Sequence, residues 1–403
     1  MRFFLGGVPF GENNIGDEAI LAGVVAILRR NFDNPEITVS TNKPEETAGL
    51  LGVKAVPLYG FRKNHPIDGL RKEFKKCDVF IWSGATGLSD YPALAVKILT
   101  LAQECGLKTI VWGVGMDYTL NPAFFKLGGR KLALCKAASK LSLGKIDFTR
   151  LIEDFLVRRM KRKIGSALSK CDLVVVRDFE SRDALDTCPC APRAAVGADS
   201  SLIFTSADVS ELSVLPEAAR SALIDSSAEK IGLCISAQRA VADSESLARA
   251  LDALLEKPSR RLFLFGMNPL TDLPLMKSVC ASLENADKVF ALDACVEPAQ
   301  ILAAASLCGV VISSRLHLLI LSANVSTPIV GISRGSKVDN FLNNFGLASA
   351  GTVGDCDFDL LRQKAEAQLA DSSAFKSARN RVYADFQNRL SNAEKLLKEI
   401  LKK

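Results

Sequence analysis

The sequence predicts an α/β protein made of two Rossmann-like domains facing across a cleft, and three observations carry that expectation. Short apolar runs alternate with helical patterns in two successive series, separated by a Ser-, Ala- and Glu-rich stretch at 205–228 that has no strand signal. Strands that alternate with helices pair in parallel, because each helix carries the chain back across the sheet. At 403 residues the chain exceeds one ordinary core and fits two or three domains. The unusual motifs all fall just after strand-like runs, where open α/β sheets bind their ligands.

In chain order, Phe3–Leu5 reads as a strand, residues 6–16 as a glycine-rich loop, and Asp17–Arg30 as a helix. Ile37–Ser40 and Val79–Trp82 are the next strands, the latter ending at Ser83-Gly84. Ala93–Glu104 is helical, and Thr109–Val114 is a strand that runs into Gly115. Residues 119–165 interrupt the rhythm with basic, amphipathic helical sequence. Leu173–Val176 returns to strand, and Arg177-Asp-Phe-Glu-Ser181 opens a helix. The second series has strands at Ile231–Ile235, Leu262–Phe265, Val289–Ala291, Gly309–Ile312 and Ile329–Ile332, with helices over 242–256, 298–307 and 317–324. The expected domains are therefore 1–210, including the insert at about 119–165, and 228–359, followed by a charged helical tail over 360–403.

Composition excludes several classes. Hydrophobic content of 48% with 24% charged residues is that of a globular protein. A net charge of +6 is too mild for a nucleic-acid binder. The charge is uneven, however: residues 126–163 hold twelve Lys/Arg against three Asp/Glu. Within them Phe148, Leu151, Ile152, Phe155 and Leu156 recur at helical spacing ahead of Arg158, Arg159, Lys161, Arg162 and Lys163. That pattern reads either as a solvated helical face or as a helix that meets anionic lipid. The eleven cysteines are scattered, odd in number and without C-x-x-C spacing, so reduced thiols are expected. The apolar N-terminal run is too short for a signal peptide, and no run approaches the ~20 residues that span a bilayer. The expected location is cytoplasmic, at most peripheral to the inner face of a membrane.

The first motif, Gly6-Gly7-Val-Pro-Phe-Gly11-Glu-Asn13-Asn14-Ile-Gly16-Asp17-Glu18, joins a strand to a helix. Glycines let backbone amides approach a ligand, and a helix N-terminus favours anions. It is neither a Walker A loop nor G-x-G-x-x-G, and the acids also suit a first helical turn by the helix dipole alone. Ser83-Gly84-Ala-Thr86-Gly87 is a second small-residue turn, readable as a ligand approach or as tight packing. In the third motif Arg177 ends a strand, with Asp178 a local partner and Ser181 a helix cap as the plainer alternative. The fourth is Ser313-Ser314-Arg315-Leu316-His317, followed by Arg334-Gly-Ser-Lys337. The chain has only two histidines. His65 lies in a polar loop and reads as exposed, whereas His317 sits beside Arg315 at a strand end. Fixed cations beside a group that titrates near neutrality suit a small anion that gains or loses a proton. Arg334 reads as either a further cation of that loop or a solvated residue. With no second histidine near His317, no metal site is expected.

Taken together and in this order, these motifs resemble the polysaccharide pyruvyl transferase family over most of the chain. The resemblance implies a GT-B-like fold, with the first domain on the acceptor side and the second on the donor side. It implies transfer of the pyruvyl group of phosphoenolpyruvate onto two hydroxyls of a sugar, which is free or lipid-linked, to form a pyruvate ketal without a cofactor. It implies His317 and Asp17 as acid/base residues, Arg177, Arg315, Leu316 and Lys337 on the phosphoenolpyruvate, and Asn13, Asn14, Gly16, Gly84 and Gly87 in acceptor-side loops. The loop before Lys337 departs from the family pattern, with Arg334-Gly-Ser where an aromatic and an acidic residue are usual. The competing readings are a nucleotide-sugar glycosyltransferase on the same fold and a glycan-binding protein without activity.

Overall fold

The structure is a computed structural model, and it describes residues 1–143 and 145–402. The chain divides into two compact units, one of Met1–Pro9, Val25–Asp199 and Arg389–Lys403, the other of Phe10–Val24 and Ser200–Asn388.

The first unit is built on a seven-stranded sheet. Its strands are β1 (Arg2–Phe10), β2 (Glu36–Thr41), β3 (Lys54–Pro57), β4 (Val79–Ser83), β5 (Lys108–Val114), β6 (Leu173–Val176) and β7 (Ala195–Val196), in spatial order β3-β2-β1-β4-β5-β6-β7. The pairs β2–β3, β1–β4, β4–β5, β5–β6 and β6–β7 are parallel. β1 extends past the expected Leu5, because Gly6 and Gly7 are strand residues. A Cβ on Gly7 would stand 2.3 Å from the Trp82 ring, so the glycine makes room for an aromatic of the neighbouring strand. The true loop is residues 11–14.

The helices of this part are α1 (Ile15–Asn31), α2 (Pro44–Leu51), α3 (Gly69–Phe74), α4 (Gly87–Asp90), α5 (Pro92–Glu104), α6 (Gly129–Leu141), α7 (Phe148–Leu168) and α8 (Phe179–Asp186). Phe4, Phe74, Phe80 and Trp82 are buried in its core. The basic insert is a helical hairpin, α6 and α7. Leu156, Val157 and Met160 of α7 pack on the core, and Ile164 and Leu168 are buried within it. α2, β3 and α3 were not expected from sequence. β3 is four residues at the sheet edge, one exposed and three half-buried, with only Ala55 and Val56 ahead of Pro57 to betray it.

The second unit holds β8 (Glu229–Cys234), β9 (Arg260–Leu264), β10 (Val289–Ala291), β11 (Val310–Ser313) and β12 (Ile329–Gly331) in order β10-β9-β8-β11-β12. All four pairs are parallel. Its helices are α9 (Glu217–Ile224), α10 (Ser244–Leu255), α11 (Asp272–Cys280), α12 (Pro298–Ser306), α13 (Leu316–Asn324), α14 (Ser336–Asn343), α15 (Phe358–Ala370) and the first part of α16 (Ser373–Lys402). Ile15 and Ala19 belong to this unit's core, and Ile15 N–H donates to Met267 O at 3.0 Å just beyond β9. The start of α1 is thus built into the second unit. The tail is not a solvated appendage: Leu361 and Ala365 of α15 are core residues, and Phe375, Tyr383 and Phe386 of α16 form an aromatic cluster with Phe341 and Phe345.

Among the described residues no helix is long and apolar enough to cross a membrane, no cluster of side chains could hold a metal, and the cysteines are free thiols.

Candidate functional site

The strand order of the second unit sets where its chemistry lies. From β8 the chain moves to one side, to β9 and β10, then returns to the other side at β11 and β12. The loops after β8 and β11 diverge, and such a switch point is where open α/β sheets bind ligands. The two loops are strapped together here: Ser314 N–H donates to Cys234 O at 2.9 Å, and Ser236 N–H to Ser314 Oγ at 2.9 Å. Ser314 is therefore a loop fastener, while the Ser313 hydroxyl bonds the Arg315 backbone; the N-cap position of α13 is Arg315.

Arg315 is buried against Asp272, with Nε and Nη2 at 3.0 and 2.7 Å from the two carboxylate oxygens. The same carboxylate accepts the N–H groups of Ala237 at 3.0 Å and Asn268 at 2.8 Å, and Asp272 is fully buried. A carboxylate with four donors is saturated and fixes the arginine fork in one orientation.

Two more arginines join it. Arg334, after β12, donates through Nη1 to Ser236 Oγ, and Arg239, after β8, donates to Arg334 O at 2.8 Å. Among the described residues neither has a carboxylate partner within ion-pair distance; Arg334 is half-buried and Arg239 exposed. Burial, then repulsion from Arg315 and from Arg239, pulls the Arg334 guanidinium down to about 10. It stays charged near neutrality, and the one carboxylate whose charge opposes that fall, Asp272, is already paired with Arg315. The sequence offered Arg334 as one of two alternatives and passed over Arg239.

His317, in the first turn of α13, is half-buried and lies against Gly16 in the first turn of α1. A Cβ on Gly16 would fall 2.4 Å from His317 Nδ1. Beside Gly16, Asp17 accepts from Asn14 Nδ2 at 2.7 Å, while Glu18 accepts from Gly11 N–H at 2.7 Å. Asn13 has φ 59°, the left-handed region that asparagine tolerates. The second unit thus sets Gly16 against His317, with Asn13, Asn14 and Asp17 next to the one in sequence and Arg315 and Leu316 next to the other; Lys337 is in the first turn of α14.

In the first unit, Arg177 directly follows β6 and is committed to two carboxylates. Its Nε donates to Asp178 at 3.0 Å, and Nη1 lies 3.8 Å from the buried Asp199. Burial alone would lower its guanidinium, but the charges of Asp178 and Asp199 hold it above the ordinary value. Asp178, not Ser181, caps α8, accepting Ser181 N–H at 2.8 Å; Ser181 Oγ instead accepts Met116 N–H at 3.0 Å. A Cβ on Gly115 would meet Arg177 Nη2 at 2.8 Å. Gly84 has φ 76° and Ala85 φ 55°, a left-handed turn closed by Gly115 N–H donating to Ala85 O at 2.7 Å. Gly87 is small because the Trp82 ring lies where its Cβ would be, at 2.4 Å. His65 is half-buried, edge-on to Tyr59, rather than exposed.

A cavity of about 490 Å³ lined by Asn324, Ser326, Arg379 and Gln387 opens at the far end of α13 from His317. It lies away from the strand ends that carry the chemistry, and the arginine cluster, not this cavity, is the candidate site.

The polysaccharide pyruvyl transferase family profile matches residues 14–336. The chain belongs to this family. Membership makes it a transferase of polysaccharide biosynthesis, and its fold is GT-B-like. Solved structures share that fold at low identity. Anabaena HepE in complex with UDP and glucose matches at a TM-score of 0.58 and 12% identity, covering 100% of this chain and 99% of its own. UDP-GlcNAc 2-epimerase of Neisseria meningitidis bound to UDP-GlcNAc matches at 0.56 and 12%, with 100% and 99% covered. MnaA of S. aureus with UDP matches at 0.58 and 11%, with 94% and 91% covered. Among curated proteins, none matches the chain in sequence. The matched span includes Asn14, Gly16, Asp17, Arg177, Arg315, His317 and Arg334.

Proposed function

We propose that the protein transfers the pyruvyl group of phosphoenolpyruvate to two hydroxyls of a sugar in a polysaccharide or its lipid-linked precursor, forming a pyruvate ketal and releasing phosphate. The observation that carries this reading is the arginine group at the switch point of the second sheet, in which only Arg315 has a carboxylate partner among the described residues, beside the half-buried His317. Phosphoenolpyruvate has a phosphate and a carboxylate, and planar guanidiniums grip either group through paired N–H donors. Arg315, oriented by Asp272, and Arg334 hold the donor, assisted by Lys337 and Leu316. Arg177 is assigned to the donor with them, oriented by Asp178 and Asp199.

The chemistry balances without a cofactor. His317 gives a proton to the methylene carbon, which becomes a methyl group. A sugar hydroxyl adds to the adjacent carbon and loses its proton to Asp17. Phosphate leaves with the electron pair of its C–O bond, the second hydroxyl closes the ring, and its proton departs with phosphate. A positioned acid/base of this kind contributes ~100- to 10,000-fold. Asn13, Asn14, Gly16, Gly84 and Gly87 are assigned to the acceptor.

A second reading has one observation behind it: HepE, of similar fold, is bound to UDP and glucose. The test is phosphate release from phosphoenolpyruvate across a panel of sugar acceptors, for the wild type and His317→Ala. Acceptor-dependent release that is lost in the variant supports the proposal. Consumption of a nucleotide sugar with no phosphate from phosphoenolpyruvate replaces it with glycosyl transfer.

A further inference from the structure

The α6–α7 hairpin has no part in the transfer chemistry, yet it carries an unusual concentration of exposed apolar side chains. Leu141 and Leu143 are each 86% exposed, Leu134 70%, Phe155 61% and Leu151 59%. Leu141 and Leu143 lie at the end of α6 and just past it, Leu151 and Phe155 in the first two turns of α7, and Leu134 about two turns before the end of α6. Folded proteins seldom leave so large an apolar group in water unless something covers it.

The arrangement on each helix is directional. On α7, Leu156, Val157, Met160, Ile164 and Leu168 face the core of the first unit. Leu151, Phe155, Arg158, Arg159 and Arg162 recur at i, i+4, i+7, i+8 and i+11, one stripe on the opposite side. On α6, Cys135 is the buried residue, while Leu134 and Leu141, seven residues apart, lie on the outer side. The outer stripe of α7 therefore has two apolar residues near the turn, followed by three arginines. Asp154, at its flank, lies 3.9 Å from Arg150.

Charge decides between occupants. Residues 126–163 hold twelve Lys/Arg against three Asp/Glu, while the whole chain is only +6. A second copy of this chain would bring the same cations to the interface and repel. An anionic bilayer complements both features, since its headgroups take the cations and its acyl boundary takes Leu and Phe. We propose that the outer face of the α6–α7 hairpin docks the protein on a bilayer surface rich in anionic phospholipid, with Leu141, Leu143, Leu151 and Phe155 entering the headgroup region and Arg158, Arg159 and Arg162 binding phosphates. The contact is interfacial and does not span the bilayer. It is independent of the reaction assigned to the site.

The test is sedimentation of the full-length protein with vesicles. Phosphatidylcholine vesicles are compared with vesicles of equal parts phosphatidylcholine and phosphatidylglycerol, at low and at high salt. The wild type should bind only the anionic vesicles and be released by salt. Each cation removed should weaken binding roughly fivefold, so R158Q/R159Q/R162Q should lose about a hundredfold. L151S/F155S keeps every charge and should bind more weakly, with the residual binding wholly released by salt. All the substituted residues are on the outer stripe, so melting temperature and phosphate release should stay at wild-type values. Equal sedimentation with both vesicle types, or unchanged binding by R158Q/R159Q/R162Q, overturns the proposal. So does failure to bind anionic vesicles with concentration-dependent self-association that L151S/F155S abolishes; that outcome makes the face a protein interface.

Discussion

Gly16→Ala is a one-methyl change whose local and tertiary consequences have opposite signs. Gly16 is in the first turn of α1 without a left-handed φ, and in an exposed helix the substitution would stabilise by about 1 kcal/mol. Here the new methyl would stand 2.4, 2.5 and 2.7 Å from Nδ1, Cγ and Cβ of His317. To restore ordinary van der Waals contact the imidazole must retreat by about 1 Å. Overpacking of this kind costs about 1–3 kcal/mol, so the net loss of stability is small, about 0–2 kcal/mol. The catalytic loss is much larger, because a misplacement of about 1 Å costs on the order of 100-fold in rate. Gly49→Ala is the control: it lies in α2 with nothing within 4 Å of the new methyl, so it should gain stability at full activity. The assays are thermal melting and phosphoenolpyruvate-dependent phosphate release. A Gly16→Ala protein that melts higher than the wild type and keeps full activity refutes the packing of His317 on α1 as the basis of its alignment.

Other expectations follow from the same geometry. Arg334→Met removes a guanidinium with no carboxylate partner from beside two others, so the unliganded protein should melt higher while its affinity for phosphoenolpyruvate, by calorimetry, falls about tenfold or more. Asp272→Asn leaves Arg315 buried without its counter-charge and should cost about 3–5 kcal/mol in urea unfolding. Burial pushes the Asp178 carboxyl up, but the Arg177 charge and the Ser181 hydrogen bonds outweigh it and hold the carboxyl below the usual range. Its folded value is below its unfolded one, so its contribution is present above the ordinary aspartate range near pH 4 and lost as pH falls through the folded value. The melting temperature of Asp178→Asn should accordingly fall less steeply in acid than that of the wild type.

Much of this was readable before the fold. Two series of strands and helices, with every motif after a strand, placed Arg315 and His317 at the carboxyl ends of the second sheet, and the ordered motifs pointed to the family. What escaped shares one physical cause, contact between residues distant in sequence. Asp272 is 43 residues from Arg315 and looks like an ordinary first-turn acid of a helix. Gly16 looks like part of an anion-binding loop until His317, from the other end of the chain, is seen against it. Arg334 was ambiguous because a loop arginine is normally solvated; its burial beside Arg315 and Arg239 depends on how the loops after three strands converge. Glycines 6, 7 and 87 suggested a ligand-approach loop, but the aromatic rings of β4 explain Gly7 and Gly87. Ser181 and Asp178 differ as helix caps only in which oxygen reaches the orphan amide, a choice that sequence does not make.

Calorimetry of phosphoenolpyruvate on the wild type, set beside UDP and UDP-glucose on the same protein, tests the central claim most directly. The arginine cluster of the second unit predicts saturable binding of phosphoenolpyruvate, competition by inorganic phosphate, and binding weakened about tenfold or more in Arg334→Met. Binding of UDP or UDP-glucose with no heat from phosphoenolpyruvate would contradict it.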